Sequence, residues 1–308
     1  MTHPASEREA PRPDLLAPAE LRGLGGLEYV ARSVVEGFLT GLHRSPHRGF
    51  SVEFAEHRAY QPGDDLRYMD WRMVARTDRY FVKQFEEETN LRAFLLLDAS
   101  ASMGWSSDPE RIPTKLWYAK QLAAALSYLL LRQGDAVGAL AFDERVRDRV
   151  SARGGRRHWV EIGRLLEGTR SGGQTGAGGA LREVAQMLRR RGLVILLSDL
   201  LVDADETRLA LRFLRHRGHE VLVFHLLDPG ERELPGVGDA RFVDPESGEE
   251  LPVTVADLRA EYRDSVAGAI ADWRRSLAPH GIDYVLLDTS QPFVHGLRGY
   301  MRKRQRLA

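Results

Sequence analysis

Asp98, Ser100 and Ser102 stand two apart in the run Asp98-Ala99-Ser100-Ala101-Ser102-Met103-Gly104. In extended chain, residues i, i+2 and i+4 face the same way, so their three oxygens can converge on one point. One carboxylate with two hydroxyls makes a hard, all-oxygen donor set suited to Mg²⁺ or Mn²⁺. Two later positions can join it. Thr175 is the natural hydroxyl ligand of the glycine-rich loop Ser171-Gly172-Gly173-Gln174-Thr175-Gly176, and Asp199 closes the apolar run Leu193–Leu197 after Ser198. The expected metal set is therefore Asp98, Ser100, Ser102, Thr175 and Asp199.

Such a set needs a scaffold that brings distant segments together. Ala93–Leu97 is a short apolar run breaking into small polar residues, which reads as a buried strand entering a loop. From there strands and helices alternate. Helices are expected near 113–131, with Pro113 in the first turn, and at 158–167, 177–190, 204–216, 256–277 and 292–303. Strands are expected at 136–142, 146–150, 193–197, 220–226 and 282–287, with a Pro/Gly-rich excursion after 226 and a β-hairpin near 241–253 turning at Asp244-Pro245-Glu246-Ser247-Gly248. This rhythm predicts an α/β fold, a doubly wound and mostly parallel sheet covered by helices on both faces. Ligands of such sheets sit beyond the carboxyl ends of the strands, where the strand order reverses. Asp98 and Asp199 both fall at such ends.

Upstream, residues 1–17 are Pro-rich and polar and read as a disordered tail. Residues 18–92 begin with a helix on which Leu27, Val30, Val34, Val35 and Phe38 recur at helical spacing. They continue as a small β-rich segment, with a strand at Arg79–Phe85. Residues 93–308 form the α/β domain.

Composition narrows the classes. Lys plus Arg and Asp plus Glu both number 44 of 308 residues, so no global field favours nucleic acid or anionic membrane. Cysteine is absent, which removes disulfides, thiolate zinc sites and cysteine nucleophiles. No apolar signal region leads the chain, and its apolar runs fall short of the roughly 20 residues of a membrane span. A soluble cytoplasmic protein is expected.

The order Asp-x-Ser-x-Ser, then Thr175, then Asp199 resembles the metal-ion-dependent adhesion site of von Willebrand factor type A domains. The segment from Gly49 through Arg58, Tyr60-Gln61-Pro62-Gly63-Asp64-Asp65 and Asp70-Trp71-Arg72 to Val82-Lys83 resembles the signature of the DUF58 family, which joins it to a type A domain. The resemblance implies that Ser100 and Ser102 bind the cation directly, Thr175 directly or through water, and Asp98 and Asp199 mostly through water. It also implies a partner, a MoxR-type AAA+ ATPase acting on an unknown client protein. The expected function is thus non-enzymatic: docking of a partner's acidic side chain on the ion. The alternatives are an Mg/Mn-dependent, phosphatase-like hydrolase in the same pocket, and a scaffold whose metal site no longer works.

Other features read more plainly. The glycine loop lacks the Gly-Lys-Ser/Thr ending of a phosphate cradle, and no dinucleotide fingerprint follows. His43 and His47 are separated by Pro46 and read as a solvated loop. His57-Arg58, Asp64-Asp65 and Asp70-Trp71-Arg72 read as a salt-bridged network, and Arg302-Lys303-Arg304-Gln305-Arg306 as positive charge complementing a helix end. Trp105 reads as a docking rim or as a buried ring.

Overall fold

The computed structural model describes residues 26–43, 57–59, 80–83, 91–173, 177–188, 190–234, 238–243, 250–292 and 294–305. The chain divides into two compact units, residues 42–90 and the remainder. Within 42–90, strands β1 (His57–Ala59) and β2 (Phe81–Lys83) pair antiparallel. Most of the signature segment and of the charged network read from the sequence lies outside the described residues, as do the 1–17 tail and His47.

The larger unit opens with α1 (Leu27–His43), which buries Val30, Val34, Val35 and Phe38 along one stripe. Its sheet is built from β3 (Arg92–Asp98), β4 (Ala136–Phe142), β5 (Val146–Arg153), β6 (Leu193–Ser198), β7 (Glu220–Leu227) and β10 (Asp283–Asp288). The helices are α2 (Lys115–Arg132), α3 (Arg156–Gly168), α4 (Ala177–Met187), α5 (Ala204–His216), α6 (Pro229–Glu233), α7 (Val255–Leu277) and α8 (Val294–Gln305). A hairpin of β8 (Asp239–Val243) and β9 (Glu250–Thr254) stands apart from the sheet, and its turn at 244–249 lies outside the described residues.

Strand order is β10-β7-β6-β3-β4-β5, parallel throughout except for β5. The chain therefore starts in the middle, winds out through β4 to β5, then returns to lay β6, β7 and β10 on the other side. The reversal falls between β3 and β6, and a doubly wound sheet offers its crevice there. Apolar residues fill both faces. Phe94 and Leu96 of β3 meet α4 and α5 in one cluster with Leu140, Phe142, Val194 and Leu196. Alternation turns Leu95 and Leu97 to the opposite face, which α2 and α8 cover. α2 is buried nearly all round, because α3 and α8 pack on its outer sides.

Boundaries differ from expectation in instructive ways. Thr114, not Pro113, begins α2: its hydroxyl accepts from the Trp117 N–H and so occupies the cap position. The expected 177–190 helix ends at Met187. The Pro/Gly excursion contains α6, started by a capping box in which Asp228 and Glu231 each accept from the other's backbone turn. The basic tail is more than a complement to the helix end. Lys303 is buried, 2.6 Å from Glu220 and 2.8 Å from Asp283, and so ties α8 to β7 and β10. Among the described residues no helix is long and apolar enough to cross a membrane.

Gly192 enters β6 so close to the Arg92 carbonyl that a Cβ would collide with backbone, which cannot move aside without parting β3 from β6. Gly192→Ala is expected to destabilise the fold by roughly 1–3 kcal/mol, read as a lower urea midpoint. An unchanged midpoint would contradict this packing.

Candidate metal centre

β3 ends on Asp98 and β6 on Ser198, and their register sets Leu97 opposite Leu197. Asp98, Ser198 and Asp199 therefore share the carboxyl edge of the sheet at the reversal point, and all three are fully buried. Asp98 is held by both oxygens: Oδ1 accepts from the Ser100 N–H at 3.0 Å and Oδ2 from the Ser198 hydroxyl at 2.6 Å. Ser100 and Ser102 are also buried, with hydroxyls 3.1 Å apart. Their convergence does not come from extended chain, as the spacing suggested. After Asp98 the backbone turns into a 3-10 segment, Ala101–Gly104, which folds Ser102 back beside Ser100.

The glycine-rich loop is stitched to this turn. The Gly172 N–H donates to Ala99 O at 3.0 Å and the Ala101 N–H to Gly173 O at 3.2 Å. Arg147, paired with Asp143, donates to the carbonyls of Arg170 and Gly172. Gly104 sits so near the Ser171 side chain that a Cβ there would collide with it. Thr175, with Gln174 and Gly176, lies outside the described residues.

Asp199 is positioned by a tight backbone turn. Leu200 adopts φ 54°, a left-handed conformation that costs an L-residue roughly 1–2 kcal/mol. The turn aims two successive amides backwards: Leu200 N–H to Ser198 Oγ at 3.0 Å, and Leu201 N–H to Asp199 Oδ1 at 3.2 Å. Burial of the Leu200 side chain in the core offsets the strain.

Two residues at this edge escape sequence reasoning. Lys115 is fully buried, with Nζ 2.8 Å from Asp199 Oδ2 and also in contact with Glu231 Oε1. Burial alone would lower its pKa, but Asp199 and Glu231 outweigh that and hold it above the ordinary lysine value. Glu231 is itself fixed, since its Oε2 accepts from the Asp228 N–H at 3.0 Å. Asp228 in turn accepts from the Ser107 N–H at 3.1 Å and from its hydroxyl. A signal for Lys115 did exist: it is the first residue of α2, where the helix dipole disfavours a cation unless something else stabilises it. Glu231 had no comparable signal.

The electrostatics follow from this crowding. Asp98 is pushed up to about 6 by burial first and then by the charge of Asp199, against the opposing hydrogen bonds from Ser198 and Ser100. His225, which lies opposite Ser198 on β7, is pushed down to about 4, chiefly by burial and despite Asp199. It is held at Nδ1 by the Tyr284 hydroxyl at 2.5 Å. Asp199 and Glu231 thus share the single ammonium of Lys115, and burial raises the Glu231 carboxyl against the pull of that ammonium.

Asp199 Oδ2 is taken by the Lys115 ammonium at 2.8 Å and its Oδ1 by the Leu201 amide. The buried carboxylates of Asp98 and Asp199 with the clustered hydroxyls of Ser100 and Ser102 make an all-oxygen donor set of the kind a hard divalent cation takes. Among the described residues no group of three or more His, Cys, Asp or Glu side chains could hold a metal ion, so the set depends on its hydroxyls. Trp105 and Leu201, 40% and 54% exposed, stand on the two loops that carry Ser102 and Asp199.

The sheet is mostly parallel and doubly wound, an α/β domain with this cluster at its switch point. The chain belongs to the DUF58 family: the family model, described as "Protein of unknown function DUF58", matches residues 56–271. Uncharacterized proteins of Mycobacterium tuberculosis strain H37Rv and of Mycobacterium bovis are each 33% identical to it over 301 residues, 96% of this chain and 93% of theirs. Among solved structures, the conserved hypothetical protein BatB of Bacteroides thetaiotaomicron aligns with 71% of this chain and 100% of its own at 15% identity, TM-score 0.45. An aerotolerance-related membrane protein of Bacteroides fragilis aligns with 69% of this chain and 99% of its own at 16% identity, TM-score 0.43.

The raised pKa of Asp98 carries a sign that can be checked without any metal. The native state holds this proton to about pH 6, whereas an unfolded aspartate releases it near pH 3.9. Stability from this group is therefore present at low pH and lost as pH rises through 6. In chelator, the stability of the wild type relative to Asp98→Asn should fall by about 2 kcal/mol between roughly pH 4.5 and 7.5 in urea melts. A flat difference would contradict the burial and crowding described.

Proposed function

We propose that this chain is a non-enzymatic, divalent-cation-dependent protein-interaction module that docks an acidic side chain of a partner at the sheet's switch point. The observation that carries the reading is the buried, all-oxygen set Asp98, Ser100, Ser102 and Asp199 at the sheet's switch point. Bound there, Mg²⁺ or Mn²⁺ would supply positive charge and a coordination position for an incoming carboxylate. The protein's own residues do the rest. Neutral hydroxyls from Ser100 and Ser102 donate little charge and so preserve the pull on that carboxylate. Ser198 and the Ser100 amide hold Asp98 still. Trp105 and Leu201 offer apolar contact on either side.

Docking is favoured over hydrolysis by how the titratable groups are used. Asp98, with a pKa near neutrality, has both oxygens engaged, and His225 is buried against Tyr284. Neither is poised to take a proton from a water at the pocket. The partner we favour, from the sequence resemblance, is a MoxR-type AAA+ ATPase for which this chain would act as adaptor towards a client protein.

Two measurements test the reading. Mn²⁺ binding by calorimetry should be present in the full chain and fall by at least about tenfold in Ser102→Ala, with the thermal midpoint in chelator little changed. Association with a MoxR-type ATPase from the same organism should require Mg²⁺ and be lost in the same variant. Absence of Mn²⁺ binding in the wild type would defeat the metal reading. Robust phosphate-ester turnover lost in Ser102→Ala would replace docking by hydrolysis.

A further inference from the structure

Burying an ammonium is costly, and placing it at the positive end of a helix dipole adds to the cost. The fold nevertheless sets Lys115, the first residue of α2, fully buried against Asp199 at the edge that carries the candidate cation set. It does not lie there loosely. Its Nζ is gripped from the other side by Glu231, whose second oxygen is fixed by the Asp228 amide and whose carbonyl accepts from the Tyr262 hydroxyl at 2.8 Å. Asp228 is tied in turn to Ser107 and to the Gly230 N–H.

We propose that Lys115 is a tethered cation that, with Glu231 as its counter-charge, sets the charge of the pocket so that it accepts one divalent ion, and holds Asp199 in its receiving position whether or not that ion is bound. The proposal rests on the metal-binding reading given above and adds to it two positioning residues outside the candidate ligand set. By formal charge, the carboxyl groups of Asp98, Asp199 and Glu231 against the one ammonium of Lys115 leave two negative charges for a divalent ion to neutralise. Without the ammonium the same pocket would hold three unmatched buried carboxylates. Without Glu231 it would hold one net negative charge, too little for a divalent ion. His225 adds no charge near neutral pH, being held neutral by burial against Tyr284.

A charge series on the full chain decides the matter, with Mn²⁺ as the probe, read by calorimetry and by the loss of the free-ion EPR signal. Glu231→Gln keeps an acceptor for the Asp228 amide but removes one negative charge, and should weaken Mn²⁺ binding by about tenfold or more. Lys115→Met removes the positive charge and should tighten it by a similar factor. The double variant has the wild-type net charge and should return to within about threefold of wild type. A purely structural role for the pair predicts instead that all three variants bind more weakly, the double variant most, and that result would overturn the proposal. An affinity in Glu231→Gln equal to wild type would overturn it as well. If Lys115→Met fails to fold, judged by near-ultraviolet circular dichroism, the other two variants still decide: recovery in the double variant supports the tethered cation and its absence refutes it. If the wild type itself binds no Mn²⁺, the metal reading fails and the proposal falls with it, an outcome distinct from binding that ignores the charge series.

Discussion

The hydrogen bond from Ser198 to Asp98 joins residues 100 positions apart and closes the reversal point of the sheet. It exists because β3 and β6 lie side by side in register, a pairing the chain completes only after winding through β4, β5, α3 and α4. Around that bond everything else at the site is arranged. The turn that carries Ser100 and Ser102 hangs from Asp98, the glycine loop is laced to that turn, and Asp199 follows Ser198 by a single peptide. A two-residue slip of β6 against β3 would keep every side chain on its face of the sheet and still separate Asp98 from Ser198.

The opposing forces there are large. Two fully buried carboxylates on neighbouring strands repel, and a low-dielectric setting magnifies the repulsion. The fold compensates with directed donors rather than with water: amides of Ser100 and Leu201, the Ser198 hydroxyl, and the Lys115 ammonium. The compensation is incomplete, as the elevated pKa of Asp98 indicates. Residual electrostatic imbalance of this kind is common where a protein receives a ligand.

Strand and helix positions were largely legible because the sheet is buried on both faces, and continuous apolar runs such as Leu193–Leu197 mark such strands. Asp98, Ser100, Ser102 and Asp199 were legible because polar residues at strand ends stand out against those runs, and the structure gathers all four at one edge. The physical route to Ser102 was misread, since spacing alone cannot distinguish an extended chain from a turn that brings the same hydroxyls together. The pairing of Lys115 with Glu231 was illegible for a different reason. Their partnership spans 116 positions and depends on α6, whose five residues carry too little periodicity to show against a Pro/Gly-rich background. The basic run ending α8 looked like surface charge because nothing in the local sequence tells that Lys303 meets Glu220 and Asp283.

Leu200 accepts a backbone conformation that a glycine would adopt without strain, and the reason lies in its side chain, which plugs the same apolar cluster as Phe94, Leu196 and Leu214. The acid beside it is consequently moored to the hydrophobic interior rather than carried on a pliant surface loop. Warming such a molecule should not loosen this acidic edge ahead of the globule. Edge and core are expected to melt together.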